Sequence, residues 1–268
     1  MRILLSLATC VVLAGCAPQP QLSSPSSATD DANAQFARLA DDYLTGYLDW
    51  RPQTGTSLGY HQYDGKVTDL TPDSLSKELA RLKSFDHQVA KFDPTRLSAQ
   101  SRCDYTILQN AIRREIFSFE DEQSYRLNPM TYAGVLDVNI YVKRDFAPLP
   151  DRVRSIIAIL NQAPNIVAAA KANLADSLSR PFIETAIEVA DGSADFLKKD
   201  LVDALKDVKD AQLMAEFQAA DQRAISEMRG YADYLKKVKM PKANEHYALG
   251  RKKYIKLLQH GEMVHLSP

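Results

Sequence analysis

The sequence predicts a mainly α-helical protein, a bundle-like array of several helices with at most one short strand or extended segment. Two observations predict this fold class. Apolar residues recur at intervals of three and four along most of the chain from residue 31 to residue 268. Helix-capping residues and prolines separate these apolar stripes. The composition, 45% hydrophobic and 25% charged over 268 residues, is typical of a globular protein with a sizeable core.

The first 15 residues have the pattern of a signal peptide. Arg2 supplies a positive charge, and the apolar run from Ile3 to Val12 is too short to span a bilayer. The sequence Leu13-Ala-Gly-Cys16 resembles the lipobox of bacterial lipoproteins, which implies that Cys16 is lipid-modified and becomes the new N-terminus. The alternative is an ordinary secretory signal with a chance cysteine. We expect an exported protein of the bacterial cell envelope that is anchored in the outer membrane, as Ala17 favours, and faces the periplasm.

Residues 16–30 predict a flexible tether, because a segment rich in Pro, Gln and Ser cannot bury a core. The helical region is predicted over residues 31–268, and Cys103 is its one cysteine, so it cannot contain an internal disulfide. Cys103 lies in an apolar helical pattern without a catalytic partner motif. We therefore expect a buried thiol and not a nucleophile.

Three helices are predicted in the first 120 residues. The first ends before Pro52, because proline disfavours helical geometry in the residue before it. The second has a proline in its first turn. The predicted N-caps are, in chain order, Asp30 or Asp31, Thr71 and Ser98.

An uninterrupted apolar stripe from Leu213 to Val238 predicts a long helix in the second half. Three lysines at its end, residues 236, 237 and 239, are expected to complement the helix C-terminus. Further helices are predicted over residues 151–163, 165–174, 181–208 and 248–259, with breaks or kinks at Pro164 and Gly192.

The segment from Val135 to Lys143 differs, because apolar and polar residues alternate along it as in a strand. A single strand has no partner within the chain. The segment could therefore pair outside the chain, lie extended across helices, or be a helix with a misleading pattern.

The C-terminal sequence His260-Gly-Glu-Met-Val-His265 places two histidines five residues apart. On a helix such residues diverge by about 140°, and no third ligand lies nearby in the sequence, so we predict no metal site. Ser267-Pro268 has the form of a helix start, from which we expect that the native reading frame continues or that the sequence is partial. The net charge of -1 argues against nucleic acid as a partner.

Several segments together resemble one bacterial family. They are Asp41–Pro52, Leu58–His61, Asn128–Tyr132, Asp137–Pro148, Leu249–Arg251 and Gly261–Val264. The family is known as domain of unknown function 885. The resemblance implies a largely helical, often exported protein related to zinc metallopeptidases of the gluzincin type. The His-Glu-x-x-His helix of that family lies in a C-terminal half without counterpart here, so zinc is expected only in a complete member and no catalytic residue is carried over.

The resemblance favours one function over another. The favoured one is the N-terminal helical, cleft-forming half of a lipid-anchored zinc metallopeptidase-like protein, which would bind a peptide substrate and be inactive alone. The alternative is a non-catalytic envelope lipoprotein that binds a peptide or protein partner. Candidate cleft-lining residues are the polar and aromatic groups of the segment without a helical stripe: Tyr132, Asp137, Asn139, Tyr141, Lys143 and Arg144.

Overall fold

The structure is a computed structural model that describes residues 25–265. The predicted signal peptide, the lipidation residue Cys16 and the pair Ser267-Pro268 lie outside these residues. The described part is mainly α-helical, which confirms the predicted fold class. No segment of it forms a β-strand, and a single parallel bridge joins Ser179 to Asn244.

The helices are α1 (Pro25–Trp50), α2 (Pro52–Ser57), α3 (Pro72–Val89), α4 (Ala99–Glu120), α5 (Ser124–Leu127), α6 (Met130–Ala133), α7 (Asn139–Lys143), α8 (Leu149–Leu160), α9 (Ala163–Asn173), α10 (Arg180–Phe196), α11 (Val202–Ala204), α12 (Ala211–Tyr234) and α13 (Arg251–Gly261). Two π-helical turns, Leu197–Leu201 and Leu235–Lys239, extend α10 and α12.

Helices α1, α3 and α4 enclose the first of two hydrophobic cores, which we call the N-terminal core. The predicted caps of α3 and α4 are confirmed: Thr71 Oγ1 accepts a hydrogen bond from Ser74 N (3.4 Å), and Ser98 Oγ accepts one from Ser101 N (3.1 Å). Helix α1 begins at Pro25, before the predicted caps at residues 30 and 31 and inside the predicted tether. The buried residues of this core are Ala32, Phe36, Leu39, Tyr43, Leu82, Val89, Leu97, Leu108 and Ile112.

The second core, which we call the C-terminal core, is larger. Most of its buried residues belong to the part of the chain that runs from α6 to α12. Helix α12 is central, because it packs against α8, α9 and α10. Alanines allow close contact between α10 and α12, and those that are buried include Ala186, Ala190, Ala194, Ala220 and Ala224. Within the described residues, the stretch Leu149–Asn173 has the length and mean hydropathy (1.2) of a membrane span, but half of it is buried in the protein.

The second half of the alternating segment Val135–Lys143, namely Asn139–Lys143, is a short helix, and no residue of the segment forms a strand. Asp137 Oδ1 accepts a hydrogen bond from the backbone N–H of Asn139 (2.9 Å), which starts the turn that becomes α7. Val138 and Tyr141, three residues apart and therefore on one helical face, are the buried residues of this turn. For residues 139–143, the third alternative is therefore correct: they form a helix although their sequence alternates as in a strand.

Three smaller expectations need correction. Cys103 is exposed, because it lies about 140° around α4 from the buried Leu108. Gly192 lies within α10, which has no break there. The predicted break at Pro164 falls two residues earlier, since Pro164 occupies the first turn of α9. The helix predicted over residues 213–238 is confirmed.

Candidate binding cleft

The candidate site is a cleft of about 740 Å³ at the junction between the two cores. One wall consists of the C-terminal end of α4 and the chain that follows it through α5. The opposite wall consists of residues 177–182, which lead into α10, and residues 244–249, which lead into α13. Its volume is within the range of about 300–1,000 Å³ that is usual for ligand sites.

Paired polar groups cover the α4 side of the cleft. Arg114 donates hydrogen bonds to both carboxylate oxygens of Glu122 (3.0 and 3.4 Å). The hydroxyls of Ser118 and Ser124 are 2.9 Å apart, and Ser124 Oγ also donates to Glu122 (3.4 Å). These pairs orient the side chains of this wall and leave it without an unpaired charge.

Helix α13 is held against the same end of α4 by lysines. Lys253 Nζ donates a hydrogen bond to the backbone carbonyl of Asp121, and Lys256 Nζ forms an ion pair with the Asp121 carboxylate (3.1 Å). None of residues 251–261 is buried. Polar contacts of this kind are individually weak, so α13 borders the cleft without closing it.

Backbone pairing forms the opposite wall. Asn244 N donates to Leu178 O (2.9 Å), and Arg180 N donates to Asn244 O (2.8 Å), so residues 243–245 run beside the start of α10. Arg180 Nε also contacts Glu245 (2.8 Å). Ser179 is 5% exposed, and its hydroxyl oxygen has no hydrogen-bond partner among the residues that the structure describes.

Apolar and aromatic side chains complete the cleft. Tyr247 is 63% exposed. Burial raises the pKa of Tyr125 to about 12, and its phenol is neutral at physiological pH. A cleft that combines such rings with amides, hydroxyls and paired charges can contact both the backbone and the side chains of an extended peptide. The apolar and aromatic residues are Tyr125, Leu127, Leu178, Phe182, Tyr247 and Leu249.

The six residues predicted from the sequence to line a cleft do not converge on this one. Tyr132 is fully buried, and its hydroxyl donates to Tyr125 O (2.6 Å). Tyr141 is 2% exposed, and its hydroxyl accepts from Gly65 N (2.9 Å). Both tyrosines therefore pack within the C-terminal core.

The other four predicted residues lie in or beside α7. Asp137, Lys143 and Arg144 are exposed, and Asn139 is partly buried. Asp137 borders two shallow grooves, and Asn139 borders one of them. Lys143 is exposed, and Arg144 donates to Ser57 O (3.2 Å). Asp137 and Tyr141 share a groove of about 350 Å³ with α2, so the structure brings part of the predicted set together at that place.

The two C-terminal histidines lie at different positions relative to α13. His260 is in its last turn and half-buried, whereas His265 is exposed beyond the helix end at Gly261. Within residues 29–265, no three His, Cys, Asp or Glu side chains are arranged to hold a metal ion.

Sequence reasoning missed residues 177–182 and 244–249, the wall opposite α4. The one available signal was the polar stretch Lys242-Ala-Asn-Glu-His246, which follows a proline and has no helical stripe. Its pairing with residues 178–180 joins positions about 65 residues apart, which no local pattern records.

Two comparisons with known proteins give matches. Residues 52–268 match the family model described as "Bacterial protein of unknown function (DUF885)". A solved structure described as "a putative lipoprotein of unknown function from Shewanella oneidensis" has the same fold, with a TM-score of 0.67 and 22% sequence identity. The match covers 75% of this chain and 37% of that one, so the chain spans well under half the length of its structural neighbour. Among curated proteins, none matches the sequence significantly.

Proposed function

The chain belongs to the family of bacterial proteins of unknown function DUF885, and on this premise we propose that it is the N-terminal helical, cleft-forming part of a lipid-anchored protein related to zinc metallopeptidases. Its task in this proposal is to bind an extended peptide. The observation that carries the proposal is the cleft of about 740 Å³ between the two cores, with aromatic side chains beside hydrogen-bonding groups.

The lipid anchor rests on the lipobox-like sequence that ends at Cys16. The structural neighbour from Shewanella oneidensis, described as "a putative lipoprotein of unknown function", supports the anchor. In this proposal the protein is exported and attached to the outer membrane, facing the periplasm. Replacement of Cys16→Ala should release the protein from the membrane fraction, and a variant that stays bound after a carbonate wash would contradict the anchor.

The residues that the structure describes do not fit a zinc site, because no three candidate ligands among them are grouped. The proposal therefore assigns no zinc-dependent step to this chain. The resemblance assigns the metal and the hydrolytic chemistry to another part of the complete protein. The described chain contributes binding and orientation of the peptide.

The mode of binding follows from the composition of the cleft. The side-chain oxygens of Asn128 and Asn244 already accept from Met130 N (3.0 Å) and His246 N (2.9 Å), and Asn244 Nδ2 donates to Ser177 Oγ (2.8 Å). Each amide nitrogen carries two N–H groups, so each can still donate to a peptide carbonyl. Phe182 and Tyr247 offer apolar area to alternate side chains of an extended peptide.

Arg114 pairs with Glu122, and Asp121 pairs with Lys256, whereas the Lys253 ammonium donates only to a backbone carbonyl. The cleft should therefore accept peptides of varied charge and disfavour those with excess positive charge.

The proposal is tested by fluorescence anisotropy with fluorescein-labelled decapeptides of mixed apolar and polar sequence and the purified chain. We expect saturable binding, and Tyr247→Ala should weaken it about tenfold, because exposed aromatic residues in a cleft commonly dominate binding. Tyr254→Ala is the matched control, since Tyr254 is 46% exposed and lies on α13 outside the cleft residues. Equal effects of the two variants, or no saturable binding, would contradict the proposal.

A non-catalytic peptide-binding lipoprotein predicts the same binding result. A peptidase assay of the complete protein purified from its native membrane separates the two functions. Cleavage that a zinc chelator removes and added zinc restores supports the metallopeptidase relationship, and binding without cleavage supports the alternative.

A further inference from the structure

One lysine at the cleft between the two cores has no acidic partner among the residues that the structure describes. Lys253, in the first turn of α13, lines the cleft and is partly exposed. Its ammonium donates a hydrogen bond to the backbone carbonyl of Asp121, at the C-terminal end of α4, and to no other described residue. An ammonium group has three N–H donors, so two of them remain for another acceptor.

The carboxylates nearest in the cleft wall are already paired with other cations. The Asp121 carboxylate pairs with Lys256 (3.1 Å), which lies about one turn further along α13. The Glu122 carboxylate pairs with Arg114 (3.0 Å) on the α4 wall. These two pairs leave the charge of Lys253 in excess on this side of the cleft.

The surrounding segments supply no further carboxylate for Lys253. On the opposite wall, Glu245 pairs with Arg180 (2.8 Å). The first turn of α13 contains no acidic residue, and the two residues before Lys253 are Arg251 and Lys252. The local formal charge is therefore positive, although the net charge of the whole chain is -1.

A carboxylate is the ligand group that complements an ammonium in this setting. Hydrogen bonds between an ammonium and a carboxylate are charge-assisted, and they are shorter and stronger than neutral ones. Lys253 is partly shielded from water, so water screens such a pair less than it screens a fully exposed one. The cleft should therefore discriminate between peptides with and without a carboxylate.

Building on the proposed peptide binding, we propose that the cleft selects peptides that carry a carboxylate and that Lys253 recognises this group. The ammonium donates to a carboxylate oxygen of the bound peptide while it keeps its hydrogen bond to Asp121 O. The carboxylate belongs either to the C-terminus of the peptide or to an acidic side chain, since both present the same chemistry. Lys253 thereby determines specificity and takes part in no bond-breaking step.

The test measures the binding of four decapeptides to the purified chain by fluorescence anisotropy. All four share one uncharged sequence and an N-terminal fluorescein. The reference peptide ends in an amide, and the second ends in a free carboxylate. The third and fourth end in an amide and carry a central glutamate or a central lysine. We expect one or both carboxylate peptides to bind about five- to tenfold tighter than the reference, between the ranges for an exposed ion pair and a charge-assisted hydrogen bond.

The outcomes separate this inference from the proposed function. Tighter binding of the second peptide alone assigns the carboxylate to the peptide C-terminus, and tighter binding of the third alone assigns it to a side chain. Saturable binding of the reference without any preference for a carboxylate would overturn the role of Lys253 and leave peptide binding intact. Absence of saturable binding for all four peptides would overturn both proposals.

Variants at two neighbouring lysines locate the preference. Lys253→Gln removes the charge and keeps a donor for Asp121 O, so it should abolish the preference for a carboxylate. Lys253→Arg keeps the charge and should retain the preference. Lys252→Gln is the matched control, because it makes the same change of net charge at an exposed residue outside the cleft, and it should leave the preference unchanged.

A further variant changes the charge balance without a change at Lys253. Asp121→Asn removes the carboxylate that pairs with Lys256 and keeps the backbone carbonyl that Lys253 contacts. It should increase the preference for a carboxylate by about twofold, because a competing negative charge is lost. A preference that survives Lys253→Gln, or that decreases in Asp121→Asn, would contradict the assignment.

Discussion

The two cores of this protein are stabilised by different interactions. The C-terminal core consists mainly of aliphatic residues and alanines, with the four buried rings Tyr132, Tyr141, Phe217 and Tyr231, and α10 and α12 pack closely through it. Its buried charged residues, Arg152, Asp221 and Lys239, do not pair with one another.

The N-terminal core is smaller and lies beside aromatic rings and beside a network of paired charges, of which Glu78 is buried and the others are partly buried. We call this group the ionic cluster, and its members are Arg51, Glu78, Arg81 and Glu115.

The ionic cluster links all three helices of the N-terminal core. Arg51, directly after α1, contacts Glu78 of α3 (3.3 Å) and Glu115 of α4. Its guanidinium lies 4.6 Å from the ring centroids of both Tyr47 and Trp50. Burial raises the pKa of Glu115, and the nearby Arg51 charge opposes that effect.

Two helical regions with similar apolar periodicity can thus be stabilised by different interactions, apolar burial in one and paired charges in the other. The larger core buries many more apolar residues, so apolar burial contributes more to its stability. In the smaller one, every charge that packing removes from water needs a partner. We therefore expect loss of one charge to be more damaging in the N-terminal core than in the C-terminal core.

The largest expected effect is that of Glu78→Ala. The Glu78 side chain is 1% exposed and accepts hydrogen bonds from both Arg51 and Arg81. Its removal leaves two partly buried guanidinium groups without this partner and should lower the free energy of unfolding by about 3–5 kcal/mol. Chemical denaturation measures this value. Glu120→Ala, which breaks an exposed pair with Lys83, is the control and should cost less than about 1 kcal/mol.

In the C-terminal core, we expect Asp221→Asn to increase the free energy of unfolding at pH 7, the opposite of the effect of Glu78→Ala. Asp221 is 2% exposed, and one of its carboxylate oxygens has no partner within residues 25–265. Burial raises its pKa from 3.8 to about 6. The folded state therefore holds the proton more tightly, and the stability from this group is complete below pH 4 and is lost as the pH rises to about 6. That loss amounts to about 3 kcal/mol.

At pH 7 we expect Asp221→Asn to raise the free energy of unfolding by about 1–2 kcal/mol, since the amide removes the charge but is itself incompletely paired. The gain over the parent should shrink between pH 6 and pH 4. A variant that is less stable than the parent at pH 7 would indicate that the Asp221 carboxylate has a stabilising partner. It would contradict the expectation that loss of a charge is less damaging in the C-terminal core.

Lys239→Met should destabilise the C-terminal core less than Glu78→Ala destabilises the N-terminal core. Lys239 was expected to complement the end of its own helix, but its Nζ donates to Ala175 O (2.7 Å) and Leu174 O (3.4 Å) just after α9. Methionine keeps the apolar stem and leaves these carbonyls unpaired, at a cost of about 1–3 kcal/mol. The control Lys237→Met breaks only an exposed pair with Asp233 and should cost less than about 0.5 kcal/mol.

The smallest expected effect concerns Cys103. Because its side chain is exposed on α4, Cys103→Ser should change the free energy of unfolding by no more than about 0.5 kcal/mol. In the folded protein the thiol should react with a maleimide at nearly the rate of a free thiol. Protection that disappears only on denaturation would show that the N-terminal core extends over this face.

The elements that could be predicted from the sequence are those determined by residues close together in the chain. The caps at Thr71 and Ser98 and the stripe of α12 depend on residues a few positions apart, and all three are confirmed. Helix α7 was obscured because five residues are too few to distinguish a helical period from an alternating one. The contacts between helices in the ionic cluster and at the cleft join residues from 27 to 135 positions apart, and a sequence pattern holds no record of such contacts.

The central claim, that a peptide binds at the junction of the two cores, is tested most directly by photo-crosslinking. A decapeptide that carries benzophenone at its centre is irradiated with the purified chain, and the attachment sites are mapped by mass spectrometry. We predict attachment on both walls of the cleft, within residues 114–131 on one side and residues 177–182 or 244–249 on the other. Attachment confined to another surface, such as the groove between residues 65–72 and α9, would contradict the account.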